Sequence, residues 1–444
     1  MRVMKFGGTS VGDPARIVTL CDIVRAQEHT HPVVVVSAAS RVTDMLLKLA
    51  ASAAGGTIEH LPVFDRVRGL LAAFDLPQSL IDPELAGLAD ALLTIGQTRH
   101  ASPELVDRVA SYGERISART VAAVLQARGV AAVAVDAFDA GMITDDQFGA
   151  AEPLPSSEAA LRAALEAHLA DGVIPVVTGF VGRTLDGRVT TLGRGGSDYS
   201  AALVGAALGA EEIEIWTDVP GVMSADPRVV PEAQTIAALS FAEAAELAYF
   251  GAKVLHPKTI HPAVRRGIPV RVKNTFAPDH PGTVITAAGD AEAEGPRAIA
   301  HKRGITVVHI ESTRMLLAHG FLANIFEVFK KHAVVVDLVA TSEVSVSCTV
   351  DRDAGLDAAV AELRASGTVT VRPGGCLVCV VAARLLTDPT VCPRIFAALG
   401  RAGVAVKLLS MGASAVNVGL VVPDEQGELA VRALHAEFFP GVGQ

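Results

Sequence analysis

Thr190-Thr-Leu-Gly-Arg-Gly-Gly-Ser-Asp198 runs directly into Tyr199-Ser-Ala-Ala-Leu-Val-Gly-Ala-Ala-Leu208, a glycine-rich turn followed by small residues. Three glycines within four residues let backbone amides approach a ligand closely. The alanine-rich run can start a helix whose N-terminus favours negative charge. Arg194, Ser197 and Asp198 add a cation, a hydroxyl and a carboxylate to that backbone. Two readings stand at this point: an anion-binding loop at a helix N-terminus, or a plain turn in which Ser197 or Asp198 caps the helix.

The surrounding sequence places this turn in a strand-helix alternation. Val3-Met-Lys-Phe6, Pro32-Val-Val-Val-Val-Ser37, Ala131-Ala-Val-Ala-Val-Asp136, Ile174-Pro-Val-Val-Thr-Gly179, Glu212-Ile-Glu-Ile-Trp216 and Ile268-Pro-Val-Arg-Val272 are short apolar or β-branched runs, most of them bounded by turn residues. Helical stretches lie between them, at Pro14 to Gln27, Leu105 to Gln126 and Ser156 to Leu169. This is the pattern of an α/β layered domain with a mainly parallel sheet. Ligands in such sheets sit beyond the carboxyl ends of the strands. Gly7-Gly-Thr-Ser10, Ser37-Ala-Ala-Ser40 and Thr217-Asp218 each follow a predicted strand, so these loops are expected to face one crevice.

Near residues 278–297 the chain becomes polar and turn-rich, which marks a boundary. Beyond it the chain repeats itself. Ile325-Phe326, Val334, Val336 and Leu338 match Ile395-Phe396, Val404, Val406 and Leu408 at a constant offset of 70. Each copy has a helix before a short apolar strand, with a second strand expected at Val344 to Val350 and at Ala415 to Val421. Two small βα modules account for this most economically.

Composition excludes several classes. The 444 residues are enough for two or three domains. Half are hydrophobic but only 4% are aromatic, as buried parallel strands and close-packed helices require. Mean hydropathy is +0.40, yet no apolar run approaches the roughly 18 residues of a spanning helix. The opening Met-Arg-Val-Met-Lys-Phe-Gly-Gly is not a secretory signal, so the protein is expected in the cytoplasm. With 38 Lys plus Arg against 48 Asp plus Glu, the net charge of −10 argues against nucleic acid or an anionic membrane as partner. The five cysteines form no disulfide framework, and Cys376 and Cys379 fall in an apolar run that reads as a buried strand. No metal site is expected from them.

No GxxxxGK[ST] loop and no His-Arg-Asp triplet occurs, and Gly193-Arg-Gly-Gly-Ser-Asp198 has Asp where a dinucleotide fingerprint needs its last glycine. Phosphate chemistry here would need other cations. Lys5 ends the first strand beside Gly7-Gly8, Asp226-Pro-Arg228 follows a Pro220-Gly221 turn, and Lys253 sits in Phe250-Gly-Ala-Lys-Val-Leu-His-Pro257. Singly, each is an ordinary solvated or turn residue.

Taken in order, Lys5-Phe-Gly-Gly-Thr-Ser-Val11, Thr191-Leu-Gly-Arg-Gly-Gly-Ser-Asp198, Trp216-Thr-Asp-Val-Pro-Gly221 and Phe250-Gly-Ala-Lys-Val-Leu-His-Pro257 resemble the signatures of the aspartokinases of the amino-acid kinase fold. The tail is similar to paired ACT domains. The resemblance implies a helix-sandwiched, mainly parallel sheet over 1–285 and two ACT-like α+β modules at 300–375 and 376–444. It implies transfer of phosphate from ATP, with Mg²⁺, to the β-carboxylate of L-aspartate, the first step of lysine, threonine and methionine synthesis.

In residues, the resemblance gives Lys5 the transferring phosphoryl, helped by Gly7, Gly8 and Thr9. Thr43, Glu114, Arg194, Ser197 and Asp198 match aspartate-binding positions, with Glu114 on the ammonium and Arg194 on a carboxylate. Thr217, Asp218, Arg228 and Lys253 match nucleotide-side positions, as does Met223, where members often carry an aromatic. Thr43 as a helix cap and Glu114 on a solvated helix face are the alternatives.

His319-Gly-Phe-Leu322 and Val336-Asp-Leu-Val-Ala-Thr-Ser-Glu-Val-Ser345 look like the effector segments of lysine-inhibited members. Met315, Phe321, Leu322, Val336, Asp337, Thr341, Ser342 and Glu343 fall on matching positions, while Ala318 and Val335 replace hydroxyl-bearing residues. Lysine is the expected effector and a homodimer, or a dimer of dimers, the expected assembly. A noncatalytic amino-acid sensor and a same-fold kinase for glutamate are the rival readings. No homoserine dehydrogenase region is expected after the tail.

Overall fold

The computed structural model spans residues 1–444 and describes all but 59, 251–254, 256, 291–293, 317–318, 353, 383–384, 386–387, 413–415 and 441–444. The chain forms two compact units. The first comprises Met1–Val222, Ala237–Phe241 and Val254–Gly289; the second comprises Met223–Ile236, Ala242–Lys253 and Asp290–Gln444.

The first unit contains β1 (Arg2–Phe6), β2 (Val33–Val36), β3 (Ala132–Val135), β4 (Ile174–Thr178), β5 (Val181–Arg183), β6 (Val189–Thr191), β7 (Glu212–Thr217), β8 (Ala238–Ser240), β9 (Val270–Asn274) and β10 (Thr283–Thr286). Eight of these form one sheet in the order β3-β4-β2-β1-β7-β9-β10-β8, parallel throughout except for the β9–β10 pair. The central strands β1 and β2 are almost wholly buried; β2 accordingly reads as a continuous apolar run, whereas β1 carries Arg2 and Lys5. The remaining pair, β5 and β6, forms a separate antiparallel ribbon that leads into the glycine-rich loop.

Helix starts follow local chemistry. The Asp13 carboxylate accepts from the Arg16 amide ahead of helix Pro14–Ala26, and Ser102 Oγ accepts from the Leu105 amide ahead of helix Pro103–Ala127; each helix has proline in its first turn. Helix Pro103–Ala127 packs on β3 and β4, and helix Gly196–Leu208 packs on β1 and β7. The latter begins earlier than Tyr199, and its cap is neither Ser197 nor Asp198. Gly195 takes the cap position at φ 72° without a side-chain capping bond.

The second unit contains β11 (Pro296–Glu311), β12 (Val336–Thr341), β13 (Ser345–Val350), β14 (Thr368–Ala382), β15 (Leu408–Ser410) and β16 (Asn417–Pro423). Their order, β12-β13-β11-β14-β16-β15, is a palindrome of the repeat. Each copy contributes one long and two shorter strands, and the long strands β11 and β14 pair antiparallel at the centre. Helices Phe321–Lys331 and Val391–Arg401 occupy equivalent places, 70 residues apart. Cys376 and Cys379 are core residues of β14, and burial pushes the Cys376 thiol up to about 12. Among the described residues no helix is long and apolar enough to cross a membrane.

Candidate active site

The loops after β1 and β2 are sewn together at the carboxyl edge of the sheet. The Gly7 amide donates to the Trp216 carbonyl at 3.0 Å, and the Ser40 amide donates to the Gly8 carbonyl at 2.9 Å. A Cβ on Gly8 would stand 2.7 Å from the Ala38 carbonyl oxygen, so only glycine allows this approach. Between these loops, helix Pro103–Ala127 and the glycine-rich turn lies a cleft of about 390 Å³.

Lys5, Gly8, Thr43, Glu114, Ser197 and Asp198 all line the cleft. Lys5 Nζ pairs with Asp198 Oδ1 at 2.7 Å, with both side chains mostly buried. Glu114 is only 3% exposed, and its Oε2 has no hydrogen-bond partner. Burial pushes the Glu114 carboxyl up to about 8, against backbone amides at Ala38 and Glu114 and the Lys5 ammonium. The solvated helix face is thereby ruled out for Glu114. Thr43 is not a cap either: it lies inside helix Val42–Ala54, whose cap position is Arg41. Gly179 leaves room for Ser197, since a Cβ there would lie 2.6 Å from the Ser197 Cβ.

The other expected residues of the first unit are not in the lining of this cleft. Arg194 is exposed and does not line it, although its neighbours Gly193, Gly195 and Gly196 do. Gly7 and Thr9 belong to the loop after β1 but are not in the lining. Thr217 ends β7, Asp218 follows it, and neither is in the lining. β1 lies between β2 and β7, which puts Lys5 between the Thr43 side and the Thr217 side. Met223 and Arg228 belong to the second unit. There Met223 is half-buried with its sulfur 3.6 Å from Thr235 Oγ1, and Arg228 is paired with Asp226 at 2.6 Å. Lys253 lies outside the described residues.

Arg41 and Phe180 also line the cleft, and neither was picked out from the sequence. Both adopt the left-handed region, at φ 69° and 67°. The Phe180 backbone is held by Ser200 Oγ on its amide at 2.9 Å and by the Leu192 amide on its carbonyl at 2.9 Å. Non-glycine residues in this region are strained and concentrate at functional sites. Gly179 marks the turn at Phe180, whereas no glycine adjoins Arg41.

Of the expected effector residues, Met315, Phe321 and Val336 pack on the core of the first repeat, while Leu322, Thr341 and Glu343 are exposed. Ser342 Oγ and Ser345 Oγ are 2.7 Å apart. The Asp337 side chain is 2% exposed and meets Lys302 Nζ at 3.1 Å and the Tyr249 hydroxyl at 2.6 Å. Val335 is exposed, and Ala318 lies outside the described residues.

Residues 1–274 match the amino acid kinase family, and residues 378–438 match the ACT domain. Aspartokinase 2, chloroplastic, of Arabidopsis thaliana is 39% identical over 98% of this chain and 84% of that protein. The crystal structure of E. coli aspartokinase III in complex with aspartate and ADP (R-state) superposes with a TM-score of 0.82 at 36% identity, over 99% of this chain and 100% of that one. The E. coli aspartokinase III complex with lysine and aspartate (T-state) gives a TM-score of 0.78 at 37% identity, over 99% of each chain. With its strand order, its glycine-bound cleft and these likenesses over nearly its whole length, the chain belongs to the amino acid kinase family, among the aspartokinases.

Proposed function

We propose that the cleft binds L-aspartate and that the chain transfers the γ-phosphoryl group of ATP to its β-carboxylate, yielding 4-phospho-L-aspartate and ADP. The observation that carries this reading is Glu114: a buried carboxyl with an unpartnered oxygen, facing the same cleft as the Lys5–Asp198 pair. A substrate ammonium supplies the missing donor and favours the ionised form of Glu114. Thr43 and Ser197 offer hydroxyls to the substrate, and Arg194, free on the loop, reaches its carboxylate.

The acceptor is already an anion at neutral pH, so no general base is needed. One carboxylate oxygen forms the new bond to the γ-phosphorus as the bond to the β,γ-bridging oxygen breaks. Catalysis then consists of positioning and charge neutralisation. Lys5 neutralises the moving phosphoryl, with Gly7, Gly8 and Thr9 beside it. Thr217, Asp218, Met223, Arg228 and Lys253 are assigned to the nucleotide by the family positions they match. Among the described residues no group of three or more His, Cys, Asp or Glu side chains could hold a metal ion. Mg²⁺ is expected to enter on the phosphates of ATP, whose charge it offsets.

The tail, read as ACT-like modules at 300–375 and 376–444 after a catalytic domain at 1–285, is the proposed seat of feedback by lysine in a cytoplasmic homodimer. A hydroxamate assay with ATP, Mg²⁺ and either L-aspartate or L-glutamate tests the activity, with Lys5→Ala as control. Acyl phosphate from aspartate, lost in the variant, is the expected result; product from glutamate alone would reassign the substrate.

A further inference from the structure

Asp107 stands two helical turns before Glu114 on the same face of helix Pro103–Ala127, is 3% exposed, and does not line the cleft. Its Oδ2 accepts from the amides of Gly149 and Thr191, each at 2.8 Å, and its Oδ1 accepts from Thr191 Oγ1 at 2.8 Å. A buried carboxylate with three donors is satisfied as an anion, although burial itself pushes its pKa upward. All three bonds run to segments that hold the glycine-rich turn. Thr191 is the last residue of β6, two residues before Gly193. The Ala151 amide donates to the Thr191 carbonyl at 2.9 Å, and Gly193, at φ 76°, would place a Cβ 3.0 Å from the Gly149 carbonyl. Thus one carboxylate joins the helix bearing Glu114 to the strand and loop that set where Ser197 and Asp198 begin.

We propose that Asp107 is a positioning residue for the acceptor: it fixes the spacing between Glu114 on the helix and Ser197–Asp198 on the turn. This rests on the reading of the cleft as the aspartate pocket. Because every contact is on the acceptor side, loss of Asp107 affects aspartate and leaves the nucleotide alone. A misplacement of about 1 Å between such groups costs on the order of a hundredfold in rate, so even a partial release of the turn is measurable.

The test is steady-state kinetics on the full chain, with KM for aspartate and for ATP measured separately alongside a thermal melt. Asp107→Ala leaves two backbone amides and a hydroxyl unpaired; the KM for aspartate is expected to rise about tenfold or more, with the KM for ATP within about twofold. Asp107→Asn can turn its amide nitrogen toward Thr191 Oγ1 and keep an oxygen for the two backbone amides, so it restores part of the loss. Thr191→Val removes one bond with little change of shape, and a rise of about threefold in the aspartate KM is expected even if the alanine variant does not fold. Unchanged aspartate KM in folded variants, or equal rises for both substrates, overturns the proposal. If the wild-type chain makes no aspartyl phosphate, it is the reading of the pocket that fails instead.

Discussion

At the scale of single residues, Glu114 holds the clearest pH signature. Its carboxyl is raised to about 8 in the folded, ligand-free chain from an ordinary 4.5, so folding holds a proton that the unfolded chain releases. Stability from this group is therefore lost as pH climbs from about 4.5 toward about 8. Aspartate, bound through its ammonium, should bind more tightly over the same climb, because the ionised form gains population. Glu114→Gln, neutral at every pH, is expected to flatten both dependences and to raise the KM for aspartate by about 10- to 100-fold. Thermal melts and aspartate KM across that range check both. A variant that keeps the pH slope assigns it to another group.

Elements were unevenly legible in the sequence. The buried strands β2 and β4 are nearly continuous apolar runs, as burial on two faces imposes, whereas β1 carries Arg2 and Lys5 and β7 alternates Glu212 and Glu214 with Ile213 and Ile215. The ribbon β5–β6 has only three residues per strand, and β8 pairs parallel with β10 far along the chain, so neither leaves a local period to read. The glycines marked the turns at Gly7-Gly8 and Gly193–Gly196, whereas Arg41 and Phe180 themselves take a glycine-like backbone that their residue types do not signal. Asp107 was invisible for another reason: its partners Gly149 and Thr191 lie 42 and 84 residues away. In the first repeat, β12 brings Asp337 against Lys302 of β11, which also contacts Asp351 at 2.8 Å. An internal ammonium thus occupies Asp337, one of the residues that match effector positions. Lys302→Met frees Asp337 of that competitor, and the lysine concentration for half-inhibition is expected to fall about tenfold. A titration in which lysine acts unchanged would remove Asp337 from the effector site.

At the scale of the whole molecule, chain order and packing differ in two stretches, 223–236 and 242–253. Residues 223–236 precede the first unit's last strands in sequence but belong to the second unit. Ala225, Val229 and Val230 share a core with Ile299, Val378 and Leu434. Polar contacts fix the same stretch: Ser224 Oγ to His435 Nε2 at 2.9 Å, the Ile299 amide to the Ser224 carbonyl at 2.7 Å, and Arg432 Nε to the Val229 carbonyl at 3.0 Å. A fragment ending at Gly289 strips all of these partners away. Exposing the two valines alone forfeits about 1.5–3 kcal/mol each, more than a short segment recovers from its own turns. Met223 and Arg228, proposed for the nucleotide side, lie on that stretch, whereas Lys5, Thr43, Glu114, Ser197 and Asp198 are all in the first unit. The fragment is therefore expected to keep its aspartate KM within about threefold while its ATP KM rises about tenfold or more, and to bind a hydrophobic dye that the full chain does not. Kinetics with each substrate varied in turn decide the matter: an ATP KM equal to that of the full chain means that residues 223–236 hold their shape without the second unit.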